Sequence, residues 1–349
     1  MSRLRELRLR AGAAVYDWPR FEAALRGIGP YRRLPAPWIA IHNRSERITL
    51  DGRGARCEWL YTTDLHIAKV FPSAGARLMR RAFRDWPIAL RDAPPPADAP
   101  AVTFIIGHRG LARLPHLLMT LRSIAGQTGV PVECIVVEQS AAKEIESALP
   151  PWVRYVHTPV DAQYAYNRSW TLNVGARLAR GEVLILHDND MLSPARYAAE
   201  TLARAREGWS FLELKRFTFY LGEEETDRVF ASGEVRTDVP ANVVQNLQGA
   251  SIAVSKEAFA AIGGFDESFV GWGGEDNEFW ERAETTGRVY GFGSLPFLHL
   301  WHAPQKGKLA GDEAPAVRRY FELRSIPPAE RIRALTAREQ GSLLRPAHG

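Results

Sequence analysis

Cysteine is nearly missing from this chain: Cys57 and Cys134 are the only two in 349 residues. A pair so widely separated provides neither a disulfide framework nor a zinc-ligand cluster. Cys134, inside the apolar run VECIVV, reads as a small buried hydrophobe. Long apolar runs are missing too. No stretch approaches the roughly 20 residues needed to cross a bilayer, and the opening MSRLRELRLRAG carries charge where a signal peptide would be apolar. The expected location is the cytoplasm, and the triplets Asn43-Arg44-Ser45 and Asn167-Arg168-Ser169 are therefore not read as glycosylation sites. No strong charge of one sign is present either, since 45 Lys and Arg against 40 Asp and Glu leave +5. Nucleic acid is accordingly not an expected partner. Arginine does gather at the two ends, in RLRELRLR and in RRYFELRS with ERIRALTAR. Such runs read as solvated helix faces, or as a peripheral contact with anionic membrane.

What is present is a globular composition, 46% hydrophobic and 24% charged, in a chain long enough for one large domain or two ordinary ones. The stretch ALRDAPPPADAPAV, residues 89–102, breaks all periodicity and predicts an extended linker. Beyond it VTFIIG, VECIVVEQS and EVLILHDND read as buried strands. LARLPHLLMTLRSIAGQ and SWTLNVGARLARG, the latter closed by Gly181, read as the intervening helices. Strand and helix in alternation predict an open, mostly parallel sheet flanked by helices, an α/β fold that gathers ligands at the carboxyl ends of its strands. Those ends carry His108-Arg109, Glu138-Gln139 and Asp188-Asn189-Asp190.

After residue 205 the pattern changes. FLELKRFTFYLG and DRVFASGEVRT predict antiparallel strands about a Gly222-Glu223-Glu224-Glu225 turn. GASIAVSKEAFAAIGG predicts a strand running into a helix capped by Ser255 and stopped at Gly263-Gly264. In the first 97 residues WLYTTDLHIAKVF and ARLMRRAFRDW suggest a strand and an amphipathic helix, and no chemical motif accompanies them. The expected division is an α+β accessory region (1–97), a central domain (98–310, with halves 98–205 and 206–310) and a basic helical tail (311–349).

Three features carry chemistry. If the strand geometry persists through VLILHDND, Asp188 and Asp190 point to one side and can share a hard cation or divide it with a ligand hydroxyl. FLHLWHAPQKGK offers His299 and His302, imidazoles acceptable to manganese beside carboxylates. FDESFVGWGGEDNEFW places Glu275 and Asp276 on a glycine-flanked loop, where a carboxylate can take a proton from an attacking hydroxyl. A plainer reading puts both acids in the first turn of the helix NEFWERAETTG, favoured there by its dipole. The two readings are compatible.

IIGHRGLARL, YNRSWTLNVG, LHDND and GASIAVSKEAFAAIGGFDESFVGWGGEDNEFWERA with the trailing HLWHAP, in that order across roughly residues 102–305, resemble the GT-A-fold glycosyltransferases. They are most similar to the branch with the β-1,4-galactosyltransferases and the bacterial chondroitin-polymerase domains. The resemblance implies a nucleotide-diphospho-sugar transferase fold and an inverting, metal-dependent transfer using Mn2+ or Mg2+. It further implies a UDP-sugar donor and a glycan or glycolipid acceptor. It places His108, Arg109 and Arg113 toward the diphosphate, Glu138 near the base or ribose, and Asn167 and Arg168 near the nucleotide. Asp188 then faces the ribose and the metal, while Asp190 and His302 ligate the metal, with His299 as the competing choice. Trp272 rides a loop that closes over the donor, Glu275 grips the acceptor and Asp276 is the base. Asn189 stands where the family has valine, and residues 1–97 and the tail have no counterpart. A second reading keeps the fold as an inactive sugar-nucleotide or glycan binder. A third, a phosphohydrolase, needs an aspartyl nucleophile after the first strand, where Gly107-His108-Arg109 stand.

Overall fold

The computed structural model describes residues 3–58, 62–96, 99–303 and 314–344, with side chains from residue 7 onward. The first hundred residues build α1 (Arg3–Gly12), α2 (Trp18–Arg26), a ribbon of β1 (Ile48–Leu50) and β2 (Ala55–Cys57), β3 (Thr63–Asp64), α3 (His66–Val70) and α4 (Pro72–Asp85). The expected helix ARLMRRAFRDW is α4. The expected strand in WLYTTDLHIAKVF shrinks to β3, because Leu65 turns the chain into α3; Trp59, Leu60 and Tyr61 lie outside the described residues.

The central sheet follows the predicted alternation: β4 (Val102–His108), α5 (Leu114–Ala125), β5 (Val132–Ser140), β6 (Arg154–Pro159), α6 (Arg168–Leu178) and β7 (Val183–His187). Next come β8 (Met191–Leu192), α7 (Tyr197–Arg206), β9 (Phe211–Leu212) and β10 (Lys215–Tyr220). Then α8 (Glu223–Ser232), β11 (Asn242–Gln245), β12 (Ser251–Ser255), α9 (Lys256–Ala261), α10 (Glu275–Thr286), β13 (Val289–Tyr290) and β14 (Leu295–His299) complete the layer. Strand order in the seven-stranded sheet is β13-β9-β12-β7-β4-β5-β6. β7, β4, β5 and β6 run parallel and β12 runs antiparallel to β7. This is a mixed α/β architecture with a parallel core. Buried on both faces, β4, β5 and β7 read as unbroken apolar runs. Cys134 is fully buried on β5, and burial raises its thiol pKa.

Two local expectations are corrected. DRVFASGEVRT is not a strand, since residues 223–232 form α8, whose Glu223, Glu224 and Glu225 complement the positive end of the helix dipole. The antiparallel partner of β10 is instead β11. Gly181 does not close α6, which ends at Leu178 with Ala179 extended. A Cβ at Gly181 would sit 2.8 Å from the Thr103 backbone nitrogen, so this glycine permits close approach to β4.

A second sheet, β3-β11-β10-β14-β8, lies beside the first. The accessory region supplies its edge strand, and Trp38, Leu78 and Phe83 share one hydrophobic cluster with Phe217, Phe219, Val243 and Leu298. Buried Arg216 ties the two together by donating to the carbonyls of Ile39 (2.7 Å) and Ile41. The described part of residues 89–101 forms no regular element, and β4 begins at Val102; the segment lies against the domain, with Trp152 donating to Asp92 O at 2.8 Å.

The tail brings α11 (Pro315–Leu323) and α12 (Pro328–Thr336) onto the central domain. Arg331 turns inward, its side chain 4% exposed, and contacts Glu278 (3.1 Å) and Glu281 (2.8 Å) of α10. Glu278 also pairs with Arg282 at 2.6 Å inside the domain. Further on, Gly341 N donates to Glu267 Oε1 at 2.6 Å and Trp170 Nε1 to Ser342 O at 2.6 Å. Removing one partner of a buried pair strands the other charge. Arg331→Ala is therefore expected to lower unfolding free energy by about 3–5 kcal/mol in denaturant titrations. Arg333→Ala, at an exposed site, is expected to stay within about 0.5 kcal/mol.

Candidate active site

A cavity of about 2080 Å³ opens beyond the carboxyl ends of β4 and β7, where an open α/β sheet places its ligands. Gly107, Arg109, Arg113, Arg168, Asp188 and Asp190 line it from residues 98–205, and Trp272, Glu275, Asp276, His299 and His302 from residues 206–310.

The acids are organised by one cation. Arg168 is the first residue of α6, whose start is fixed by Asn167 accepting from Trp170 N at 2.9 Å. Its Nε donates to Asp188 Oδ1 and its Nη1 to Asp276 Oδ1, both at 2.9 Å, and Glu275 Oε1 stands 3.9 Å from Nη1. Glu275 and Asp276 are indeed the first turn of α10, as the plainer sequence reading had it, and they face the cavity as well. Gly274 makes that entry possible with a left-handed φ of 88°. Gly249 makes room for the base candidate, because a Cβ there would collide with the Asp276 carboxylate. Burial, reinforced by the charge of Asp276 against the pull of Arg168, pushes Glu275 up to about 7. Asp188 is raised for the same kind of reason, burial first.

A second group forms around Asp190. The antiparallel pairing of β8 with β14 sets Met191 opposite His299, and Leu300 N donates to Asp190 O at 2.9 Å. Asp190, His299 and His302 thereby bring donor atoms within 4.8 Å of one another. His302 Nδ1 donates to Ala303 O at 3.0 Å, leaving Nε2, 3.5 Å from Asp190, with a free lone pair. His299 is kept neutral by burial, its ring is stacked on Tyr220 at 4.2 Å, and its buried Nδ1 has no partner among the described residues. Two imidazoles, one with an orphaned nitrogen, and a carboxylate fit a divalent cation such as manganese. Arg113 donates to Asp190 at 3.1 Å.

The structure brings both His299 and His302 to Asp190. It does not bring Asp188 there. The strand ends at His187 and the chain turns at Asn189 and Asp190, so the two aspartates diverge, one to Arg168 and one to the histidines. Asn189 donates to His108 Nδ1 at 2.9 Å. His108, Glu138 and Asn167 lie behind the cavity wall. His108 is fully buried, donates to Gly110 O and is lowered to about 4, mainly by burial. Glu138 accepts from Tyr155 Oη at 2.5 Å and from Glu144 N, and Asn167 caps α6. Arg109 is committed to the carbonyls of Tyr164 and Ala162, clamping the loop before α6. Sequence reasoning missed Tyr220 and the joint use of both histidines. Alternation along FLHLWHAP was the available signal for His299, but the register that aims it belongs to β8.

Residues 240–291 match the sequence model of a family described as the N-terminal domain of galactosyltransferase. The matched stretch holds Gly249, Trp272, Glu275 and Asp276 and ends before His299 and His302. Among solved structures the chain is similar to the catalytic domain of Drosophila β1,4-galactosyltransferase 7 in complex with xylobiose. Identity there is 17% over 62% of this chain and 79% of that one, with a TM-score of 0.35. No curated protein sequence matches the chain. The family match supports a glycosyltransferase on a mixed α/β fold. The likeness in sequence is to galactosyltransferases and rests on residues 240–291.

A carboxyl whose folded pKa lies above its ordinary 4.5 binds more protons folded than unfolded, so stability is fullest below 4.5 and falls as pH rises toward 7. Glu275→Gln is expected to flatten that fall, gaining on the order of 1–3 kcal/mol relative to wild type between pH 5 and 8. Thermal melts across that range check it, and an unchanged slope contradicts it.

Proposed function

We propose that this glycosyltransferase moves a sugar from a nucleotide-diphosphate donor, UDP-linked, to a hydroxyl of a glycan or glycolipid, with inversion at the anomeric carbon. The single observation that supports this most is that one cavity holds Asp276 on one wall and the Asp190, His299 and His302 group on another. Asp190, His299 and His302 would hold a divalent ion, which when bound would supply positive charge for the departing diphosphate. Arg113, beside Asp190, turns its guanidinium to the same phosphates. Asp188, tethered by Arg168, faces the ribose. Asp276 accepts the proton of the acceptor hydroxyl as its oxygen bonds to the anomeric carbon, and the carbon–oxygen bond to the diphosphate breaks on the opposite face. Glu275, near neutral pH partly protonated, is suited to donate a hydrogen bond to a neighbouring acceptor hydroxyl. Trp272, half exposed on the Gly271–Gly274 loop, covers the sugar and keeps water out. His108, Glu138 and Asn167 act by holding the walls.

Among the described residues no helix is long and apolar enough to cross a membrane. We place the reaction in the cytoplasm, with the arginine-rich first helix offering peripheral contact to an anionic surface. The accessory region, 1–97, is assigned to substrate selection.

Two variants test the chemistry with a panel of UDP-sugars and manganese. Asp276→Asn is expected to reduce turnover by about 10²–10⁴ while the melting-point shift on donor binding persists. Asp190→Ala is expected to abolish the manganese-dependent part of that shift. Wild-type turnover in both variants contradicts the mechanism. Donor binding by wild type without turnover on any acceptor instead favours a binding module.

A further inference from the structure

The cavity is larger than a nucleotide sugar requires. Small-ligand pockets span roughly 300–1,000 Å³, about half of the 2080 Å³ here or less. Its lining extends from the histidine pair to Thr62, Lys69 and Pro72 of the accessory region, a stretch we call one arm of the cavity. Tyr220 stacks on His299, and its β10 position lies in register with Asn242 of β11. Asn242 Nδ2 donates to Asp64 Oδ1 at 3.0 Å, and Asp64 Oδ2 accepts from Lys69 Nζ at 2.6 Å. A continuous polar wall therefore runs from β14 through β10 and β11 to β3 and α3. Thr62, Lys69, Pro72, Tyr220, Pro240 and Asn242 line this arm.

The chemistry of the wall selects its occupant. Hydroxyl, amide and ammonium groups alternate with the flat apolar faces of two prolines and a tyrosine, the complement of a sugar ring with hydroxyls at its edge and C–H groups on its faces. Lys69 is already neutralised by Asp64, so the arm offers hydrogen bonds without net charge. That argues for a neutral chain over a phosphorylated lipid head. β3 exists as a sheet edge only because β11 pairs with it, so the accessory region is built into the wall.

We propose that residues 62–72, with Tyr220, Pro240 and Asn242, form an extended acceptor subsite for an uncharged oligosaccharide of three or more sugars. Its growing end lies at Asp276 and its remaining sugars run toward Lys69. This rests on the glycosyltransferase reading.

The test uses the full chain with UDP and manganese on an array of neutral oligosaccharides one to six sugars long. Wild type is expected to bind at least one series about tenfold tighter at three or more sugars than at one. Lys69→Ala combined with Asn242→Ala should lose that preference. Thr62→Trp should lose it too, since it fills the arm while removing only an exposed contact to Asn246 O. Both variants should keep the wild-type melting-point shift with UDP and manganese. No length preference in wild type, or variants that keep it, overturns the subsite while an intact shift leaves the glycosyltransferase reading standing. Absence of the shift in wild type overturns that reading and the subsite with it.

Discussion

One guanidinium facing three carboxylates governs this site. Asp188, Glu275 and Asp276 come from the end of one strand and the start of a distant helix, and at neutral pH they would repel one another. Arg168 lies between them, 2.9 Å from two and 3.9 Å from the third. Its position is set by α6, which Asn167 caps and of which Arg168 is the first residue. Burial first, and then the charge of Asp276 with a single cation to offset three acids, raises Glu275 to about 7. The cluster thus retains a proton acceptor while holding its shape.

Two further constraints aim the remaining groups. Pairing of β8 with β14 brings His299 to Asp190, so a two-residue strand sets the geometry of the candidate cation site. The tail anchors α10, through Arg331 on Glu278 and Glu281, and α10 begins with the two acids. Arginines that sequence alone reads as a solvated or membrane-facing run include one that is a buried strut. The accessory region performs the same service for the second sheet, through Arg216 and the cluster around Trp38.

Much of this was legible in the chain. Apolar runs bounded by glycine and polar residues gave β4, β5 and β7, and helical spacing gave α5 and α6, because elements buried on both faces leave strong local patterns. Glu275 and Asp276 were legible for the same local reason, being adjacent on a glycine-flanked loop. What depended on pairing was not. The three glutamates after Gly222 resemble a hairpin turn until their place at a helix start is seen. Asp188 and Asp190 look like a shared clamp until the strand is found to end at His187. His108 and Glu138 stand at strand ends as expected, yet their side chains turn behind the wall, toward Asn189 and Tyr155. A strand's carboxyl end predicts an edge, and side-chain direction there is set by the next loop.

In the proposed reaction the Asp190 group and the Arg168-held acids act together in one cavity. Anomalous X-ray diffraction from crystals grown with manganese and UDP checks this. A manganese peak bonded to Asp190, His299 and His302 is expected, with the UDP diphosphate between it and Arg113 and with Asp276 still paired with Arg168. A peak on Asp188 away from both histidines, or UDP bound outside this cavity, would contradict it.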